Sequence, residues 1–169
     1  VYHATGSLIV PLGQTLTVQS GAIVKLQTLT FTVNGTLLCQ GTAGSPCVIT
    51  SIHDDTAGGD TNGNGNATSG GINQWYGIHF SAGSGGSALT HTQIRCMGWG
   101  NWSVAVAGAN PSFTDCRISD GGYGGLALSA GAMPTVTRCD FQRLNSVPAV
   151  LGATIDAAAG FIDTTASNC

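Results

Sequence analysis

The segments LTHTQI (89–94), FTDCRI (113–118) and VTRCDF (136–141) align with one another at offsets of 24 and 23 residues. Each aligned column keeps its character. Leu89, Phe113 and Val136 are apolar, Thr90, Thr114 and Thr137 repeat threonine, and Ile94, Ile118 and Phe141 are apolar again. Pro111 and Pro134 stand just before the second and third copies, and the apolar runs SVAVAG (103–108), GLALSAG (125–131) and AVLGATI (149–155) follow the three copies in turn. A period of about 23 residues, made of short β-type runs separated by Gly, Asn or Pro turns, is what one coil of a β-solenoid requires. Leucine-rich repeats have a similar period but need a Leu and Asn framework that is missing here.

The N-terminal half carries the same architecture with looser spacing, since TLTVQSGAIVKLQ (15–27) parallels TFTVNGTLLCQG (30–41). Val, Ile, Leu and Ala alternate with Thr and Ser, 26 glycines punctuate the chain, and Glu is absent, so the chain reads as all-β. Its 42% hydrophobic content is enough to build a core. The expectation is a single right-handed parallel β-helix over residues 1–169, interrupted by one polar loop insertion at 53–74.

The order of LTVQSGAIVKL, VNGTLLCQGT, VITS with DDTAGGDTNGNG after it, WYGIHF and the two coils that follow resembles the bacterial secreted and surface proteins with right-handed parallel β-helix repeats. These share the pectin lyase-like superfold. The resemblance covers most of the chain and implies an extracellular or cell-surface location. Because that family is functionally mixed, it implies a fold rather than an activity.

Charge narrows the partners. Eight Asp stand against one Lys and four Arg for a net charge of -3, and no basic run could follow a phosphate backbone, so nucleic acid is not expected. No stretch reaches the roughly 18 to 20 apolar residues of a membrane span. The chain opens at Val1 without a signal-type segment and reads as a mature or excised fragment.

Three groups of residues are candidates for chemistry. In the polar stretch, Asp60-Thr-Asn62-Gly-Asn64-Gly65 fits the D-x-[DN]-x-[DN]-G calcium pattern, in which hard oxygen ligands at alternate positions wrap one cation. Its twelfth position, Gly71, supplies no carboxylate, and Asp54, Asp55 and the Asn66 carbonyl are the candidates to complete the set. The competing reading is a turn-rich loop that binds nothing.

The repeat register supplies the second group, with His91, Asp115 and Arg138 in one column and Gln93, Arg117 and Asp140 in the next. Parallel strands stack about 4.8 Å apart, so Asp115/Arg138 and Arg117/Asp140 are expected side by side on one sheet face. The resemblance places polysaccharide lyase or glycoside hydrolase chemistry on such a face. The alternating charge signs favour instead a ladder that holds the coils in register, at about 0 to 1 kcal/mol per pair.

Six cysteines form the third group, and an even count in a Thr-, Ser- and Gly-rich chain suggests an oxidising compartment. Cys116 and Cys139 share a column with Thr92 and should point inward, either bridged or stacked as thiols. Cys39 and Cys47 flank the turn QGTAGSP, which leaves Cys96 and Cys169. Trp75 reads as a loop-to-core anchor, while Trp99 and Trp102 are candidates for stacking on sugars.

Together these readings predict a non-catalytic structural or adhesive module. Copies of it would stack end to end into a surface filament, because a solenoid ends in unpaired strand edges. A lyase or hydrolase fragment, or a carbohydrate-binding module with glycans as partners, is the alternative.

Overall fold

In a strand with alternating apolar and polar residues, one face is buried and the other is solvated. The computed structural model of the chain applies this rule to three sheets at once. It describes residues 1–65, 67–100, 102–145, 149–151, 160–162 and 165–167, the last three segments as backbone only.

Sheet 1 stacks Tyr2–Ala4, Ile23–Leu26, Cys47–Ser51, Thr92–Arg95, Arg117–Gly121, Asp140–Leu144 and Thr165–Ser167. Sheet 2 stacks Leu8–Val10, Thr30–Val33, Gly77–Phe80, Val104–Ala107, Leu126–Ser129 and Ala149–Leu151. Sheet 3 stacks Thr15–Gln19, Thr36–Gln40, Ala88–Thr90, Ser112–Thr114, Thr135–Thr137 and Gly160–Ile162. The chain visits sheets 3, 1 and 2 in rotation, so every strand pairs in parallel with the strand one coil away. The result is a parallel β-solenoid of about six turns. A single 3-10 turn, Ala82–Ser84, is the one helical element among the described residues.

The register is the one that the repeat implies. Leu89, Phe113 and Val136 are direct partners in sheet 3, as are Ile94, Ile118 and Phe141 in sheet 1. These columns face inward, together with Phe31, Ile78, Val104 and Leu126 of sheet 2. Phe80 and Phe113 meet edge to face across the interior, ring centres 5.8 Å apart. A buried side chain of this size contributes roughly 1.5 to 3 kcal/mol, so each coil is held by the coils above and below it.

The corners require bent backbone, and the residues there are not all glycine. His91, Asp115 and Arg138 turn the chain from sheet 3 into sheet 1 with φ of 41°, 54° and 50°. Cys96, Asp120 and Arg143 repeat the device at the far end of sheet 1, with φ of 66°, 56° and 48°. Left-handed backbone at a residue with a Cβ costs about 1 to 2 kcal/mol, which the packed neighbours must offset.

Residues 52–76 lie between Ser51 of sheet 1 and Gly77 of sheet 2 and form the insertion. It packs over the outer face of sheet 1 in the early coils. Lys25 points outward from that sheet yet is fully buried, its Nζ donating to the Gly59 carbonyl at 2.7 Å. Trp75, also fully buried, closes the far end of the loop by donating from Nε1 to the Arg95 carbonyl at 2.9 Å. Trp75 is thus a loop-to-core anchor, as its sequence context suggests.

Candidate functional site

Beyond the insertion, the outer face and corners of sheet 1 carry most of the ionisable groups among the described residues. Arg117 and Asp140 are direct strand partners and approach to 3.3 Å. Asp115 and Arg138 stand one residue before the start of their columns' buried cysteines, in the corner rather than on the sheet face expected from the repeat. The left-handed bend projects both side chains out of the corner, where Arg138 donates to both Asp115 oxygens at 2.7 Å. His91 lies on the other side, with Nε2 3.7 Å from Asp115 Oδ2.

A third pair lies beyond those that the aligned segments contain. Arg143 donates to both oxygens of Asp120, at 2.6 and 2.7 Å, in the corner between sheets 1 and 2. The signal was present, because Asp120 and Arg143 share the repeat offset of Asp115 and Arg138. The charge ladder therefore runs along both corners of sheet 1 as well as its face.

A shallow polar cleft of about 340 Å³ lies over one edge of this ladder. His91, Gln93, Asp115, Arg117, Arg138 and Asp140 form its floor, and the Thr42 to Pro46 turn forms one wall. Its electrostatics are those of paired charges. The hydrogen bonds and charge of Arg138 hold Asp115 below the usual carboxylate range. Burial works the other way at Asp120, but Arg143 and the Ser119 hydroxyl more than offset it, so this carboxyl too is lowered. A general acid working near neutral pH needs a raised pKa. Neither carboxylate has one.

The residues singled out for calcium divide into separate environments. Asp54 is buried and bound to Arg95, whose Nε donates to Oδ2 at 2.7 Å. Its carboxylate also accepts the Thr50 hydroxyl at 2.7 Å and the Thr56 hydroxyl at 2.5 Å. Burial alone would raise the Asp54 pKa, but these donors and the guanidinium bring it below the usual range. Asp54 thus clamps the insertion to sheet 1, a role the sequence reading did not give it because Arg95 is remote in the chain.

Asp60 sits elsewhere and is exposed. It accepts the backbone amides of Gly63, Asn64 and Gly65 at 2.8, 3.2 and 2.7 Å, which closes its own turn and lowers its pKa. Asn62 donates from Nδ2 to Thr68 Oγ1 and lies 3.1 Å from His53 Nδ1, while Asn64 donates to the same threonine. Both Asp55 oxygens are buried without a hydrogen-bond partner. Among the described residues no three His, Cys, Asp or Glu side chains converge as metal ligands, so Asp54, Asp55 and Asp60 do not meet in one site. Asn66 lies outside the described residues.

No disulfide joins any two of Cys39, Cys47, Cys96, Cys116 and Cys139, all of which are buried; Cys169 lies outside the described residues. Trp99 is about half exposed, at 52%, and Tyr123 of the next coil, at 49%, flanks the corner where Gly98 packs against Gly122. Trp102 is half-buried. At the N-terminal end, Ala4, Leu8, Leu16, Val18, Ala22 and Val24 line an apolar hollow of about 540 Å³. No helix among the described residues is long and apolar enough to cross a membrane. In comparisons with protein-family models, curated proteins and solved structures, nothing matches this chain.

Proposed function

We propose that this chain is a non-catalytic structural or adhesive module of an extracellular, bacterial surface protein of the pectin lyase-like β-helix kind. The observation that carries the reading is the pairing of the ladder. Along sheet 1 and its corners, where a glycan-cleaving enzyme would need a carboxyl group poised to give up a proton, Asp115 and Asp120 are each gripped by two nitrogens of an arginine from the next coil. That arrangement suits a rod that keeps its coils in register.

The cleft over His91, Asp115 and Arg138 favours the second reading, a polysaccharide lyase or glycoside hydrolase fragment or a glycan-binding module. A screen of polyuronides and neutral glycans, with and without calcium, separates the two. No cleavage is expected; cleavage abolished by Asp115→Ala overturns the structural reading.

Self-association is part of the proposal. Among the described residues Tyr2–Ala4, Leu8–Val10 and Thr15–Gln19 each have a strand partner on one side, next to the apolar hollow, and a second copy would bring strands of the same parallel sense to the other side. Sedimentation and electron microscopy of the purified chain are expected to show end-to-end oligomers that dissociate on Leu16→Arg. Strictly monomeric particles across the micromolar range refute the filament.

A further inference from the structure

Four of the buried cysteines gather at one place, the inner side of the corner where sheet 3 turns into sheet 1. Cys47 stands opposite Thr92 of the next coil. One and two coils further on, the same position is taken by Cys116 and Cys139, because Gln93, Arg117 and Asp140 follow them as direct partners. Cys39 approaches from the inner face of sheet 3, between Val18 and Leu89.

The thiols fall into two pairs. Cys39 and Cys47 face the same strand from either side of a turn closed by the Thr42–Ser45 bridge: Cys47 donates to the Val18 and Gln19 carbonyls at 3.4 and 3.3 Å, and Val18 is the direct strand partner of Cys39. Cys116 and Cys139 stand in register on adjacent coils, each just before the partnered Arg117 and Asp140, with the Asp140 amide donating to the Cys116 carbonyl at 2.9 Å. Both also bond the coil below in the same way, Cys116 to the Leu89 carbonyl and Cys139 to the Phe113 carbonyl, so the two side chains point in one direction.

We propose that these are two cross-link sites, and that Cys39–Cys47 and Cys116–Cys139 close into disulfides when the chain folds in an oxidising compartment. Adjacent in-register strands place the Cα atoms of Cys116 and Cys139 about 4.8 Å apart, inside the range of about 4.4 to 6.8 Å that a disulfide spans, whereas Cys39 and Cys47 are brought together across the corner between consecutive strands of one coil. Cys47 and Cys116 are kept apart by the coil bearing Thr92, roughly twice that spacing and beyond reach. Cys96 stands at the other end of sheet 1, beside Gly70 and Asp54, and reaches none of the four. The register thus reduces the possible pairings of these four cysteines to one.

The oxidant is a small disulfide such as oxidised glutathione. One cysteine thiolate attacks it, forming a mixed disulfide and releasing one glutathione thiolate. The second cysteine thiolate then attacks the protein-side sulfur, forming the cross-link and releasing the second glutathione. The protein loses two protons and two electrons per bond, and the glutathione disulfide is reduced to two thiols. All four sulfurs are buried in the finished coil, so the exchange belongs to folding, before the coil closes over them.

The test uses the full chain carrying Cys96→Ser and Cys169→Ser. The denatured, reduced protein is refolded in mixed reduced and oxidised glutathione, alkylated and mapped by mass spectrometry. The expected result is a loss of about 4 Da against the reduced chain, with Cys39 linked to Cys47 and Cys116 to Cys139. Adding Cys139→Ser should leave the Cys39–Cys47 link and one alkylated thiol, on Cys116. Alkylation of all four cysteines in chain that has regained its β-sheet spectrum, or a Cys47–Cys116 link, overturns the proposal. Should refolding fail, the same map on protein secreted into an oxidising compartment decides in the same terms.

Discussion

Arg95→Met is expected to destabilise the fold by about 3 kcal/mol at pH 7. The Asp54 side chain is 3% exposed and that of Arg95 22%, with 2.7 Å between Nε and Oδ2. Methionine keeps the length of the stem but removes the charge, leaving a buried carboxylate without its counter-ion. Such a loss costs about 3 to 5 kcal/mol. The lower end applies because the Thr50 and Thr56 hydroxyls still donate to Asp54.

The pH dependence follows from the direction of the Asp54 shift. Its folded pKa lies below the ordinary 3.8, so the contribution of the ionised group is fully present above that value and lost as pH falls through the folded pKa. In the variant, burial is no longer offset by the guanidinium, and Asp54 takes up its proton at higher pH. The stability gap between the two proteins should therefore be widest near neutrality and narrow on acidification. Urea unfolding followed by tryptophan fluorescence, to which fully buried Trp75 contributes, measures it. With a slope of about 2 kcal/mol per molar urea, the midpoint should drop by about 1.5 M at pH 7. A drop below about 0.3 M, or a gap that widens as pH falls, refutes the clamp.

Two further substitutions separate core from ladder. Phe113→Ala removes a buried ring set edge to face against Phe80 in the central coils and should cost about 3 to 5 kcal/mol, read from the same urea transitions. Arg138→Ala breaks a solvent-exposed bidentate pair, its arginine 53% and its aspartate 25% exposed, and should leave the urea midpoint nearly unchanged. The Arg138→Ala difference should shrink further in about 1 M salt, checked by thermal melts at low and high ionic strength.

The repeat determined the architecture and much of the face. Leu89, Phe113 and Val136 stack as aligned, Gln93, Arg117 and Asp140 form the next outward column, and Cys116 and Cys139 turn inward. These were legible because in a solenoid the neighbour in space is the neighbour one period away, so a sequence offset is a spatial contact. Asp120 with Arg143 obeys the same rule.

What the period could not carry was decided by tertiary structure. The column of His91, Asp115 and Arg138 lies in the corner and not on the sheet because the chain bends there through left-handed backbone. Asp54 joined Arg95 instead of Asp60 because the insertion folds back over sheet 1, and Lys25 was buried by the same movement. An inserted loop has no copy one period away against which to be aligned. Its contacts depend on how the chain closes over a surface that exists only once the coils have stacked.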